Sequence, residues 1–136
     1  MLDTVLLIDD DETDHFFFKR LVQKTNLIKD VICFHYADEA LQFLQSRERP
    51  KIDVIFLDIN MPRMNGFEFL EEAKSELPSS FNESVNVVML TSSIAPQDKA
   101  RAAEFDVIKA YANKPLDADG LNNIVKQIAW LSDFRQ

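Results

Sequence analysis

A chain of 136 residues, 46% of them hydrophobic and 28% charged, has the length of one domain and enough apolar side chains to bury a real core. Its 15 basic and 23 acidic residues leave a net charge of −8 and a pI near 4.7, which argues against a nucleic-acid ligand, because phosphate backbones need a basic footprint. No apolar run approaches the ~20 residues of a bilayer span, the N-terminus lacks the basic start and long apolar region of a secretory leader, and Cys33 is the single cysteine, so a reducing cytoplasm and no internal disulfide are expected.

Strand and helix signals alternate along the chain. Residues 5–8 are a short apolar run that ends in Asp9-Asp10. Asp11 then suits a helix cap, and Phe17, Phe18, Leu21, Val22 and Thr25 recur at helical spacing behind it. Residues 31–36 read as a strand rich in β-branched and aromatic side chains. Asp38 begins a helix with Ala40, Leu41 and Leu44 on one face. Residues 53–58 form a third strand, and its continuous Val54-Ile55-Phe56-Leu57 fits a strand buried on both faces. Gly66 opens a helix carrying Phe67, Leu70, Ala73 and Leu77. The polar segment 78–84 reads as a tolerated surface insertion. Residues 85–90 are the fourth strand, Pro96 suits the first turn of the fourth helix, and residues 108–112 are the fifth strand. Asp117 precedes a last helix with Leu121, Ile124, Val125, Ile128 and Leu131 on its inner face.

Such alternation implies an α/β architecture, a doubly wound parallel sheet. In open sheets of this kind the ligand crevice lies beyond the C-terminal ends of the strands. Four of those ends carry chemistry. The first strand ends in Asp9-Asp10 and the third in Asp58, within the run Asp58-Ile-Asn60-Met-Pro62-Arg-Met-Asn-Gly66. The fourth ends in Thr91-Ser92-Ser93, and the fifth in Tyr111-Ala-Asn-Lys114-Pro115.

This joint pattern resembles the receiver domain of two-component response regulators, including the stand-alone chemotaxis receiver, over roughly residues 3–132. The family matches each piece: an acidic pair, the phosphoacceptor Asp, a Thr or Ser, and a Lys-Pro with an aromatic three residues earlier. The resemblance implies the flavodoxin-like five-stranded order 2-1-3-4-5 with five helices, as one receiver domain spanning residues 1–136. It implies that Asp58 accepts a phosphoryl group from a sensor histidine kinase or phosphotransfer protein, with Thr91 and Lys114 contacting the phosphoryl oxygens. Mg²⁺ would be held by Asp10, Asp58 and the backbone carbonyl of Asn60, with Asp9 acting through water. Thr91 and Tyr111 would be the switch residues, and the Lys114-Pro115 bond is cis in family members. Physical reasoning meets the resemblance at the acids. Carboxylates gathered by a sheet repel by ~4 kcal/mol per pair at about 4 Å, so one must protonate or a cation must bind, and oxygen-only ligands suit Mg²⁺.

The expected function is a single-domain phosphorylation switch rather than an enzyme, with output passed to an unidentified protein partner, since the chain stops at Gln136 soon after the last helix. The alternative is a receiver-fold module that binds a protein independently of phosphorylation. An aspartate-nucleophile phosphatase would need an acid two residues after Asp58, where Asn60 stands, and a flavin phosphate would be repelled by the five acids in residues 9–14. Among those, Asp11, Glu12 and Asp14 read as helix-start acids favourable to the dipole. His15 and His35 read as structural, and Phe16-Phe17-Phe18 as mostly core. The sequence departs from the family in two places: residues 104–110 have no Gly before the fifth strand, and Asn113 is polar where apolar residues are usual. Asn60 and Ser93 occupy the variable positions that the family associates with phosphoryl lifetime.

Overall fold

A computed structural model describes residues 2–92 and 95–134. The elements run β1 (Leu2–Ile8), α1 (Glu12–Thr25), β2 (Ile28–Phe34), α2 (Ala37–Gln45), β3 (Val54–Asp58), α3 (Gly66–Glu76), α4 (Ser79–Ser84), β4 (Asn86–Thr91), α5 (Pro96–Ala102), β5 (Ile108–Asn113) and α6 (Ala118–Phe134). The strands form one parallel sheet in the order β2-β1-β3-β4-β5, the predicted flavodoxin-like arrangement.

Both faces of the sheet are covered, as a parallel sheet requires. Successive side chains point to opposite faces. Leu6, Ile8, Ile55, Leu57, Val87 and Met89 therefore meet α2, α3, α4 and Ala102 of α5, while Val5, Leu7, Val54, Phe56, Val88 and Leu90 meet α1 and α6. The predicted inner face of α6 is found: Leu121, Ile124, Val125 and Ile128 are buried, and Leu131 is half-buried. Asp11 caps α1 by accepting from the Thr13 N–H at 2.8 Å.

Two expectations are corrected. The described helices number six, not five, because segment 78–84 contains α4 rather than a bare loop. Phe81 explains why: it is buried against the α3 side of the sheet, and Arg49 lies over its ring at 5.4 Å. A polar run with one aromatic gives no periodicity to read, yet one buried ring is enough to dock a short helix.

In α1, Phe16 and Phe17 are exposed, 55% and 57%, so only Phe18 of that run is core. The stripe is completed by His15, which is buried with Phe18 and Val22. A polar residue thus takes the inward place that hydrophobicity alone assigned to Phe17.

The turn before β5 needs no glycine. The Phe105 N–H donates to Ala102 O at 3.0 Å and the Ile108 N–H to Phe105 O at 3.2 Å. Among the described residues the non-glycine positive φ values belong to Asn26 and Arg63, so this turn uses no left-handed residue. Asn113 is exposed while neighbouring Ala112 packs inward, which accommodates its polarity.

If Phe81 anchors α4, Phe81→Ala should cost about 3 kcal/mol by the usual range for a buried ring. A loop-surface residue would cost within about 0.5 kcal/mol. Urea unfolding monitored by circular dichroism distinguishes the two.

Candidate functional site

Register builds the site. Parallel pairing sets Ile8 opposite Leu57, so the next residues, Asp9 and Asp58, leave the sheet side by side. Asp58 faces Leu90, and Thr91 faces Asn113, which carries Thr91 and Lys114 to the same rim. Asp9, Asp10 and Asp58 each place one carboxylate oxygen within 4.8 Å of the others. Lys114 Nζ joins them, 3.6 Å from Asp58 Oδ1.

Each of these side chains has a local support. Asp9 is fully buried; its Oδ1 accepts from the Asp11 N–H at 2.9 Å and its Oδ2 from Lys114 Nζ at 2.6 Å. Its backbone carbonyl accepts from His15 Nε2 at 2.6 Å, and because a carbonyl only accepts, Nε2 must carry the proton. The His15 ring packs on His35 with centroids 4.3 Å apart. Both histidines are structural, as read from the sequence, but His15 is structural for the site itself.

The Lys114–Pro115 bond is cis, and the Lys114 N–H donates to Thr91 O at 2.9 Å. Gly66 closes the turn after Asp58: its N–H donates to Ile59 O at 2.9 Å, and an added Cβ would lie 2.6 Å from the Asp58 carbonyl oxygen. Asn65 and Glu68 form a capping box that starts α3 at this point.

The charges are strained. Asp58 has its pKa pushed up to about 6, first by burial and then by the field of Asp9, with Lys114 pulling the other way and Asp10 adding to the rise. Burial raises Asp9 as well, against the hydrogen bond from Lys114. For Lys114, burial lowers the pKa, but hydrogen bonds to Asp14 and Asp9 outweigh it and hold the ammonium firmly protonated. A three-oxygen donor set whose central acid resists ionisation is a set that a hard divalent cation would relieve, so these residues fit Mg²⁺.

The other predicted residues fall as follows. Thr91 is buried at the end of β4. Tyr111 is 43% exposed, with its ring outward from β5. Asn60 is exposed on the loop two residues past Asp58. Ser93 lies outside the described residues.

One site residue was missed. Asp14 is not merely a helix-start acid, for its Oδ2 accepts from Lys114 Nζ at 2.8 Å. The signal was available: at ~100° per residue, Asp14 stands one turn before Phe18 and about 40° from it around the helix, on the face that Phe18 buries.

The sequence profile of the response regulator receiver domain matches residues 5–126. The chain belongs to that family. It is 33% identical over 129 residues to a protein-glutamate methylesterase/protein-glutamine glutaminase of Burkholderia thailandensis, covering 91% of this chain and 33% of that protein. The chain spans about a third of the length or less of the curated relatives it matches, as with 16% of the sensory/regulatory protein RpfC of Xanthomonas campestris, to which it is 26% identical over 92% of its own length. Among solved structures, a two-component response regulator from Cytophaga hutchinsonii superimposes with a TM-score of 0.83 at 31% identity, covering 94% of this chain and 97% of that one. Receiver domains are signalling switches of two-component systems, worked by histidine kinases or phosphotransfer proteins, and they bind Mg²⁺ at an acidic pocket.

Two outcomes are expected. With its pKa raised from 3.8 to about 6 on folding, Asp58 makes the folded chain bind more protons than the unfolded chain between about pH 4 and 6. Stability therefore falls as pH rises through that window, and the penalty is complete above it. In metal-free buffer Asp58→Asn should raise stability by about 2–3 kcal/mol at pH 7.5 and far less near pH 4, read by urea unfolding at both. Gly66→Ala should cost about 1–3 kcal/mol, because the neighbour in the way is backbone. Thermal melts of the two proteins check this.

Proposed function

We propose that residues 1–136 act as a single receiver domain whose switch is phosphorylation of Asp58. The observation that carries this reading is the setting of Asp58: buried, with its pKa pushed up to about 6, beside the carboxylates of Asp9 and Asp10 and 3.6 Å from the Lys114 ammonium. The donor is a phosphohistidine on a sensor kinase or phosphotransfer protein. A carboxylate oxygen of Asp58 attacks phosphorus, and the bond from phosphorus to the donor's imidazole nitrogen breaks with its electron pair going to nitrogen. Asp10, Asp58 and the Asn60 carbonyl would hold Mg²⁺, with Asp9 reached through water. When bound, the ion supplies charge neutralisation for the phosphoryl oxygens. Lys114 and the Thr91 hydroxyl hold the remaining oxygens by charge and hydrogen bond.

The donor has a surface to meet beside the site. Exposed Phe17 lines a groove with Arg20, Leu21, Pro115 and Leu116, and the exposed Phe16 ring meets Phe17 edge-on with centroids 5.6 Å apart. A smaller cleft lined by Asp14, Phe17, Lys114 and Leu116 leads from it to the acids. An exposed ring on the cleft that holds Asp9, Asp14 and Lys114 suits a protein donor better than a small molecule. Output follows on the other flank: Thr91 moves toward the new oxygens, Tyr111 turns inward, and the face around residues 96–112 changes for a downstream protein partner. We place the protein in the cytoplasm with its donors, and with a net charge of −8 it has no nucleic-acid role. No described helix is long and apolar enough to cross a membrane.

Acetyl phosphate with Mg²⁺ should add one phosphoryl group by intact mass, and Asp58→Asn should abolish the gain. No gain in the wild type would favour the phosphorylation-independent binding module instead. Mg²⁺ titration followed by NMR should saturate in the wild type and fail in Asp10→Ala. Retained binding in that variant would overturn the ligand set.

A further inference from the structure

Lys114 stands closer to two other carboxylates than to the phosphoacceptor. Its Nζ lies 2.6 Å from Asp9, 2.8 Å from Asp14 and 3.6 Å from Asp58. The contact with Asp9 is compelled, since Asp9 is fully buried and its other oxygen is occupied by the Asp11 N–H. A buried carboxylate stripped of its ammonium is strongly unfavourable. Asp14 is under no such compulsion. About a third of its side chain is exposed, so water could solvate it, and the cap of α1 is made by Asp11 rather than by Asp14. An ammonium has three N–H donors. Two point to Asp9 and Asp14, and 3.6 Å to Asp58 exceeds a hydrogen bond.

We propose that Asp14 is a positioning residue that holds Lys114 back from Asp58 and so opposes the phosphorylated state. This deepens the reading of Asp58 as phosphoacceptor and rests on it. A phosphoryl group on Asp58 offers Lys114 oxygens of higher charge, and the short Asp9 contact must persist. The hydrogen bond to Asp14 is therefore the one that yields as the ammonium turns to the phosphoryl group. A contact stronger in the resting state than in the phosphorylated one shifts the equilibrium toward rest, whatever its absolute strength. Asp14 also adds a negative charge near an incoming anion. That field effect is independent of Lys114, so the two are separable by experiment.

The probe is beryllofluoride with Mg²⁺, its binding measured by calorimetry on the wild type, Asp14→Asn, Asp14→Glu, Lys114→Gln and the double variant Asp14→Asn/Lys114→Gln. Asp14→Asn should tighten binding about threefold to fivefold, the range of a part-exposed ion pair. Asp14→Glu, which keeps the charge, should stay near the wild type. In the Lys114→Gln background the gain from Asp14→Asn should vanish. The ¹⁵Nζ resonance of Lys114 in the resting protein gives a second reading that needs no ligand: Asp14→Asn should shift it and Asp14→Glu should not. Equal tightening in both backgrounds, an unchanged affinity, or an unmoved Lys114 resonance would each overturn the proposal. Failure of the wild type to take up beryllofluoride would instead overturn the phosphoacceptor reading.

Discussion

One ammonium, that of Lys114, answers the carboxylates of Asp9, Asp14 and Asp58 at the upper edge of the sheet, with Asp10 also close by. At an effective dielectric of 20, each pair of acids about 4 Å apart repels by ~4 kcal/mol. A single cation cannot cancel that, and Asp58, raised first by burial and then by the field of Asp9, has its pKa pushed up to about 6. The rest of the molecule can be understood as what is needed to keep such an edge assembled. The apolar strands beneath it bury Leu6, Leu7, Phe56 and Leu57 almost completely, and the sheet cannot relax by spreading its strands without opening both cores.

The placement of the acids follows from topology rather than from mutual attraction. β1 and β3 are neighbours because the chain crosses from β2 back over β1, and their register puts Asp9 beside Asp58 as a consequence of Ile8 pairing with Leu57. Burial drives that pairing, and the carboxylates are carried along. Local hydrogen bonds then limit the damage. Asp9 uses both oxygens and its carbonyl on fixed partners, and Gly66 lets the turn after Asp58 pass against the Asp58 backbone, a space that any side chain would fill.

The inner faces of α2, α3 and α6 and the residues at the strand tips were legible in the sequence, from strong periodicity or from several residues agreeing at once, whereas the sheet order came through the family resemblance those residues carry. What was illegible depends on single residues acting against their type. Phe17 is a hydrophobe facing water and His15 a polar residue facing inward, so no hydropathy pattern separates their roles. Phe81 is the buried side chain of α4, helped by Asn82, which donates to the Ala73 and Leu77 carbonyls. Asp14 was hidden by proximity, because acids at a helix start already have a sufficient electrostatic reason to be there. Only the helical angle relating it to Phe18 marks it as different.

The turn after β3 and the helix α5 that follows β4 differ in their described supports, and that contrast bears on how a proposed switch would move. After β3, the turn is fixed by Gly66, by the Asn65–Glu68 capping box, by partly buried Met61 and Met64, and by Arg63, which pairs with Asp38 and lies 4.0 Å over the Tyr36 ring. After β4, α5 has only seven residues and its N-cap, Ala95, makes no side-chain cap. A helix that short gains little from its own hydrogen bonds; its described core contribution is Ala102, and Arg101 ties it to α3 by an ion pair with Glu71 at 3.1 Å and by lying 4.8 Å from the centre of the Phe67 ring. Local opening free energy follows the number of buried contacts and satisfied caps. New charge at Asp58 would therefore meet a firmly held turn on the β3 side, while on the β4 side the described part of α5 buries one small side chain and leans on α3 through Arg101. Displacement on that side reaches β5 directly, because the Thr91 carbonyl accepts from the Lys114 N–H and Met89 pairs with Tyr111.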